Sequence, residues 1–346
     1  MTTSHTSDFE LDRPGSVIAA VPAVLGFVPE MSLVLVTVDR GDLGCVLRID
    51  LSEDMSDQIV RLAEVAAAAR PDGAIAVIVD EHGAGCHPCN DDYRDLAAHL
   101  ADELDSWGID LLGAHVVDRV ATGGRWHCAD GCGRGGVIED PAASPLAVAA
   151  VLDGRRLYTR RDELQAVIAP DPARSEVLAG QIAAGVPPAM SDADACAAIS
   201  EARAAAAHLA DGGTLADEVA ARLGRALRDI RVRDTLFGLA VGEDAERAEA
   251  LWVSLARILP VPYRTEALVL VAFFAYARGD GPLAGVSLDA ALRNDPTHRM
   301  ASMLDQALQS GLRPERIREL ALTGYRLAEQ LGVRLPRRRP TGRRAG

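Results

Sequence analysis

Lysine is missing from this chain: all 36 basic residues among its 346 are arginine. That absence excludes Schiff-base chemistry, pyridoxal phosphate anchoring, the phosphate-binding lysine of P-loop enzymes, and the lysine of protein kinases and serine β-lactamases. Aromatic residues are scarce at 4%, so the cores must be built from Ala, Val and Leu in closely packed elements. No G-x-S-x-G, H-E-x-x-H, or H-x-E with P-C-x-x-C occurs, which removes the minimal parts of serine hydrolases, zincins and nucleobase deaminases. The longest apolar run, "ALVLVAFFAYA" at 267–277, is about half the ~20 residues that span a bilayer. The N-terminal "MTTSHTSDFELDRPG" lacks a basic segment followed by an apolar core. These features lead us to expect a cytoplasmic protein with no membrane association.

Positive charge is in deficit. A net charge of −14 argues against a general nucleic-acid binder, which needs clustered cations to meet phosphates. The exception is "RLPRRRPTGRRAG" at the C-terminal end, with six arginines and no acid. It is expected to be a disordered, solubilising tail, making at most weak polyanion contact.

The order of elements divides the chain. "MSLVLVTVD" (31–39) and "GCVLRIDL" (44–51) predict a hairpin about "RGDL", after a short helix in 14–30 broken near Pro22 and closed by Gly26. A helix follows over 57–70, then the continuously apolar strand 74–80, typical of burial on both faces. A helix over 91–106, capped by Asn90 with Asp91 and Asp92 in its first turn, precedes a strand over 109–120 and the short strand "RWHCAD". These predict an α/β domain with a mixed sheet and flanking helices. Helical segments alone follow, near 191–209, 215–230, 244–258, 265–278, 283–294, 299–310 and 314–331.

The expected organisation is therefore a disordered tail at 1–11, an α/β domain at 12–170 and a linker at 171–190. An all-α, tetratricopeptide-like domain at 191–333 and a disordered Arg-rich tail at 334–346 complete it. In the helical domain, 265–298 fits a tetratricopeptide hairpin, with Leu268, Val271, Ala272, Ala284, Leu288, Ala291 and Pro296 at small, apolar and proline positions and Gly279 at the turn. Such packing serves either a plain helical bundle or a groove for a protein partner.

Several local patterns have plain structural readings. "GCGRGG" (131–136) satisfies G-x-G-x-x-G, but "VIEDP" follows where a helix N-terminus would be needed; it reads as a flexible turn, and no nucleotide is expected. Asp80 and Glu81 end a buried strand and read as solvated acids, or as acid–base groups of an enzyme. Cys45 and Cys196 read as small core residues.

The remaining cysteines are paired. Cys86-x-x-Cys89 and Cys128-x-x-x-Cys132 supply four sulfurs in two short segments, and such knuckles suit a closed, structural tetrahedral zinc site. His82, His87 and His127 are substitute ligands. A reversible disulfide and free thiols stay open as alternatives.

"PGSVIAAVPAVLGFVPEMSLVLV", "GGRWHCADGC", "VRDTLFGLA" (232–240) and "ARGDGPLAGVSLDAALRNDP" occur in an order that resembles an actinobacterial family, domain of unknown function 4192. The resemblance spans roughly 11–333 and implies no activity. In that family the segment after the tryptophan usually runs to two adjacent cysteines and a proline, whereas here Cys132 is followed by Gly133 and Arg134. The resulting expectation is an uncharacterised, non-enzymatic interaction or regulatory protein with a structural zinc site. The alternatives are an enzyme using strand-end carboxylates or a metal, and a thiol-based redox or metal sensor.

Overall fold

The computed structural model describes residues 13–338, apart from 53–54, 69, 153–154 and 184–189, and leaves out the side chains of His87 and Pro88. The expected tail at 1–11, the end of the Arg-rich tail, and the ligand role of His87 therefore lie outside the described residues. The chain divides into two compact units, Met1–Arg161 with Gln309–Gly311, and Asp162–Leu308 with Leu312–Gly346.

The first unit opens on α1 (Pro14–Leu25), where a proline in the first turn costs no hydrogen bond. Pro22 does not break the helix as the sequence suggests. Eight residues of α1 are buried, Val17 through Ala23 and Leu25, and that packing outweighs one missing amide. Gly26 ends the helix in the left-handed region at φ 76. Strands β1 (Ser32–Asp39) and β2 (Asp42–Asp50) form the expected hairpin. Its two-residue turn puts Arg40 at φ 52 and Gly41 at φ 82, the mirror-image turn that matches strand twist.

Next come α2 (Ser56–Ala67), β3 (Gly73–Val79), α3 (His87–Asp105), β4 (Asp110–Val117), β5 (Arg125–Cys128) and β6 (Gly135–Val137), then α4 (Pro145–Leu152). The six strands make one mixed sheet in the order β2-β1-β3-β4-β5-β6. β3 and β4 run parallel, joined by α3, and the other neighbours are antiparallel. β3 is buried along its whole length, as its unbroken apolar run requires. Leu33, Leu35 and Ile78 of the sheet pack with Ile59 of α2 and Leu100 and Leu104 of α3.

Helix α3 starts earlier than its sequence pattern suggests. Cys86, not Asn90, is the N-cap, and Pro88 sits in the first turn where it lacks nothing. The cysteine pair thus belongs to a helix start and not to a free loop. β6 was not foreseen, because three exposed residues, two of them glycine, carry no strand pattern.

The second unit is helical. Helix α5 (Arg161–Ala166) leads into it, and α6 (Pro172–Ala183) occupies the stretch expected as a linker. Leu178 and Ile182 of α6 are buried, so this segment packs as an element. Helices α7 (Asp192–Ala210), α8 (Asp217–Ala226), α9 (Ile230–Leu236), α10 (Ala245–Ile258), α11 (Tyr263–Arg278), α12 (Gly281–Asn294), α13 (Arg299–Gln309) and α14 (Pro314–Gln330) follow, and all but α9, which lies beyond the segment expected at 215–230, match the predicted segments closely. α11 is buried from Thr265 to Ala277. Gly279 closes it at φ 90. The start of the Arg-rich end is held in place: Tyr325 donates to the Pro336 carbonyl at 3.0 Å and Glu243 N–H to that of Arg337 at 3.0 Å. Among the described residues no helix is long and apolar enough to cross a membrane.

Candidate functional site

The β5–β6 connection is the chemically richest part of the first unit. Cys128 ends β5, and its N–H closes the loop on the Arg134 carbonyl at 3.0 Å. Gly131 and Gly133, at φ 73 and φ 79, fold the loop back. Asp130 accepts the Cys132 N–H at 2.9 Å, which fixes the second cysteine over the first. The result is that ligand atoms of Cys128, Asp130 and Cys132 all lie within 4.8 Å of one another.

His115 adjoins this group. It is the register partner of Cys128 across β4 and β5, so both side chains leave the sheet on one face. Its Nδ1 lies 3.7 Å from Cys128 Sγ. Burial, helped by Arg134, lowers the His115 pKa to about 4 and leaves the imidazole neutral and able to ligate. Burial and the neighbouring Cys132 raise the Cys128 thiol to about 11. Hydrogen bonds from the Cys132 thiol and N–H lower Asp130. Without a cation this is a protonated thiol beside a neutral ring, not an activated nucleophile.

The four expected cysteine ligands do not converge. Cys86 and Cys89 are bonded to each other, with Cα atoms 5.3 Å apart. Strand alternation explains part of the separation: His127 projects opposite to Cys128 and meets Asn90 of α3, Nε2 to Oδ1, at 2.9 Å. His82 is exposed and gives only its N–H to Asp80, at 2.9 Å. Sequence reasoning missed Asp130 and His115. Asp130 had a visible signal, a carboxylate midway between two cysteines. His115 had none, because its partnership with Cys128 is a matter of sheet register.

Asp80 is not a solvated acid. It is 8% exposed, accepts the N–H groups of His82 and Gly83 at 2.9 Å each, and is hydrogen-bonded to the Tyr93 hydroxyl of α3. Burial alone would raise its pKa, but Tyr93 and the two amides bring it below the ordinary carboxylate range. Cys45 bonds to Thr37 Oγ1 through its N–H at 2.8 Å, and Cys196 Sγ donates to the Leu331 carbonyl at 2.8 Å.

A cavity of about 750 Å³ lies beside the same hairpin, lined in part by Arg13, Gly15, Trp126, Arg134, Gly136 and Ser144. The last two glycines of "GCGRGG" have packing reasons here: a Cβ on Gly136 would stand 2.9 Å from the Trp126 indole nitrogen, and one on Gly135 2.8 Å from the Trp126 carbonyl.

The family model described as Domain of unknown function (DUF4192) matches residues 14–315. The chain belongs to this family. The match takes in the whole sheet, the Cys128–Cys132 loop and the helices through α13. Comparison with curated proteins and with solved structures finds no match.

Proposed function

We propose that this DUF4192 member is a non-enzymatic regulatory protein of the cytoplasm whose first unit carries a structural zinc site on Cys128, Asp130, Cys132 and His115. The carrying observation is the convergence of two sulfurs and a carboxylate within 4.8 Å of one another. The donor set fits the ion. Two thiolates, an imidazole and a carboxylate suit tetrahedral zinc, with Zn–S near 2.3 Å and Zn–N near 2.0 Å. Those lengths put sulfur and nitrogen roughly 3.5 Å apart along a tetrahedral edge, and His115 Nδ1 already stands 3.7 Å from Cys128 Sγ.

Four protein donors close the coordination shell and leave no position for water or substrate, so the ion's task is to fasten. What it fastens is β6, an exposed three-residue edge strand. The helical unit is read as tetratricopeptide-like and as the part that meets a protein partner. Supporting this, Ala272, Ala284 and Ala291 are wholly buried where α11 and α12 approach, and Gly279 makes the turn.

Cobalt(II) substitution tests the site. The purified protein should show tetrahedral d–d bands with thiolate charge transfer. Cys128→Ser with Cys132→Ser should abolish them, and Cys86→Ser with Cys89→Ser should leave them unchanged. A spectrum that survives the first pair of changes, or fails with the second, sinks the assignment.

A further inference from the structure

The second cysteine pair has chemistry of its own. Cys86-His-Pro-Cys89 occupies the first turn of α3, the crossover between parallel strands β3 and β4. Cys86 has extended backbone at φ −98, ψ 120, and its sulfur accepts the Cys89 N–H at 3.4 Å. The Cα separation of 5.3 Å suits a disulfide, and the two sulfurs are bonded. A bond spanning a sequence separation of 3 closes a minimal loop. The entropic benefit of a cross-link shrinks as the loop it closes shortens, so this one is poorly placed as a staple.

The two sulfurs are not equivalent. Cys89 is packed against the core of the first unit, a cluster that includes Tyr93 and Ala129, whereas Cys86 stands outside that cluster beside exposed Gly85. Cys86 also sits at the amide end of a 19-residue helix, where negative charge on sulfur is favoured. Asp80 braces the segments on either side of the pair. It ties the loop after β3, through the His82 and Gly83 amides, to Tyr93, one helical turn beyond Cys89.

We propose that Cys86 and Cys89 form a dithiol–disulfide exchange site that accepts electrons from a reduced dithiol. A thiolate of the reductant attacks Cys86 Sγ, forming a mixed disulfide and releasing Cys89 as a thiolate that takes up a proton. The reductant's second thiol gives up its proton and attacks its own sulfur in that mixed disulfide, releasing Cys86. Two electrons and two protons pass to the protein, and the reductant leaves as a disulfide. The site shares no residue with the zinc ligands and stands apart from that reading.

The test uses the full chain, equilibrated with reduced and oxidised dithiothreitol, alkylated, and mapped by peptide mass. Cys86 and Cys89 should interconvert together and reversibly while circular dichroism stays native. With oxidised glutathione, Cys89→Ser should collect a mixed disulfide on Cys86 roughly tenfold faster than Cys86→Ser collects one on Cys89. A bond that resists excess dithiothreitol until the chain unfolds overturns the proposal, as does equal adduct formation on the two cysteines. The wild-type titration needs no substitution, so misfolding of a serine variant does not shield the idea.

Discussion

Glu266 is a charge placed in the core of the helical unit. It is 5% exposed, and Arg233 Nη1 and His298 Nε2 reach its Oε2 at 3.0 Å and 3.2 Å, with Arg228 Nη1 3.5 Å from Oε1. Asp234 holds the Arg233 guanidinium from its other side at 2.8 Å. Burial would raise the Glu266 pKa, yet His298 and Arg233 lower it below the ordinary value. A depressed folded pKa gives stability that is fully present above the unfolded value, about 4.3, and is lost as pH falls through the folded one. Glu266→Ala should therefore cost about 3 kcal/mol at neutral pH, because the buried Arg233 loses a counter-charge. The deficit should shrink in urea melts as pH falls below the ordinary carboxylate range and through the depressed folded pKa of Glu266. A pH-independent deficit would assign the loss to packing alone. No spacing rule links Glu266 to Arg233, which is why the sequence shows a charge in an apolar run and not its partner. Asp80 repeats the lesson: its burial depends on Tyr93, thirteen residues away.

Helix α14 comes against the 3-10 turn Phe237–Val241 at a pair of glycines. A Cβ on Gly324 would stand 2.5 Å from the Gly238 nitrogen and 2.7 Å from the Thr235 carbonyl, backbone atoms that cannot swing aside. Ala is otherwise the better helix former by about 1 kcal/mol. Here overpacking dominates, and Gly324→Ala should lower stability by about 2 kcal/mol in a urea melt. A neutral or stabilised variant would show that the two elements separate freely. At this scale much of the fold was legible. Strands β1 to β5 and helices α7, α8 and α10 to α14 follow from period and punctuation, because long amphipathic or apolar runs leave few alternatives. The misses are short or context-bound. β6 is three residues long, α1 passes through Pro22 because it is buried, α3 is capped by Cys86 because Pro88 is welcome in a first turn, and α6 forms in the expected linker because Leu178 and Ile182 are buried. The candidate site was half legible: Cys128 and Cys132 were visible as a pair, whereas Asp130 joins them by a turn and His115 by register.

For the whole molecule, the division into two units decides how far loss of a metal would be felt. All the proposed zinc ligands lie within Met1–Arg161, and the buried helix α11 lies within the other unit. Ligand assembly couples to folding, so under the proposed zinc site chelation should remove stability from β6. β1, β3 and β4 have a core that needs no ion: Leu33, Leu35, Ile78 and Val116 are 1% exposed or less. β6 has only Arg125, Trp126 and His127 as ladder partners, and all three of its residues are exposed. Hydrogen exchange on the full chain should therefore rise with a chelator at 128–137 and stay protected in β3 and α11. Local opening of that kind costs less than global unfolding and leaves a cooperative melt of the helical unit intact. Chelation that loosened α11 as much as β6 would mean that the ion supports the molecule as a whole. Chelation that changed exchange nowhere would remove the fastening role.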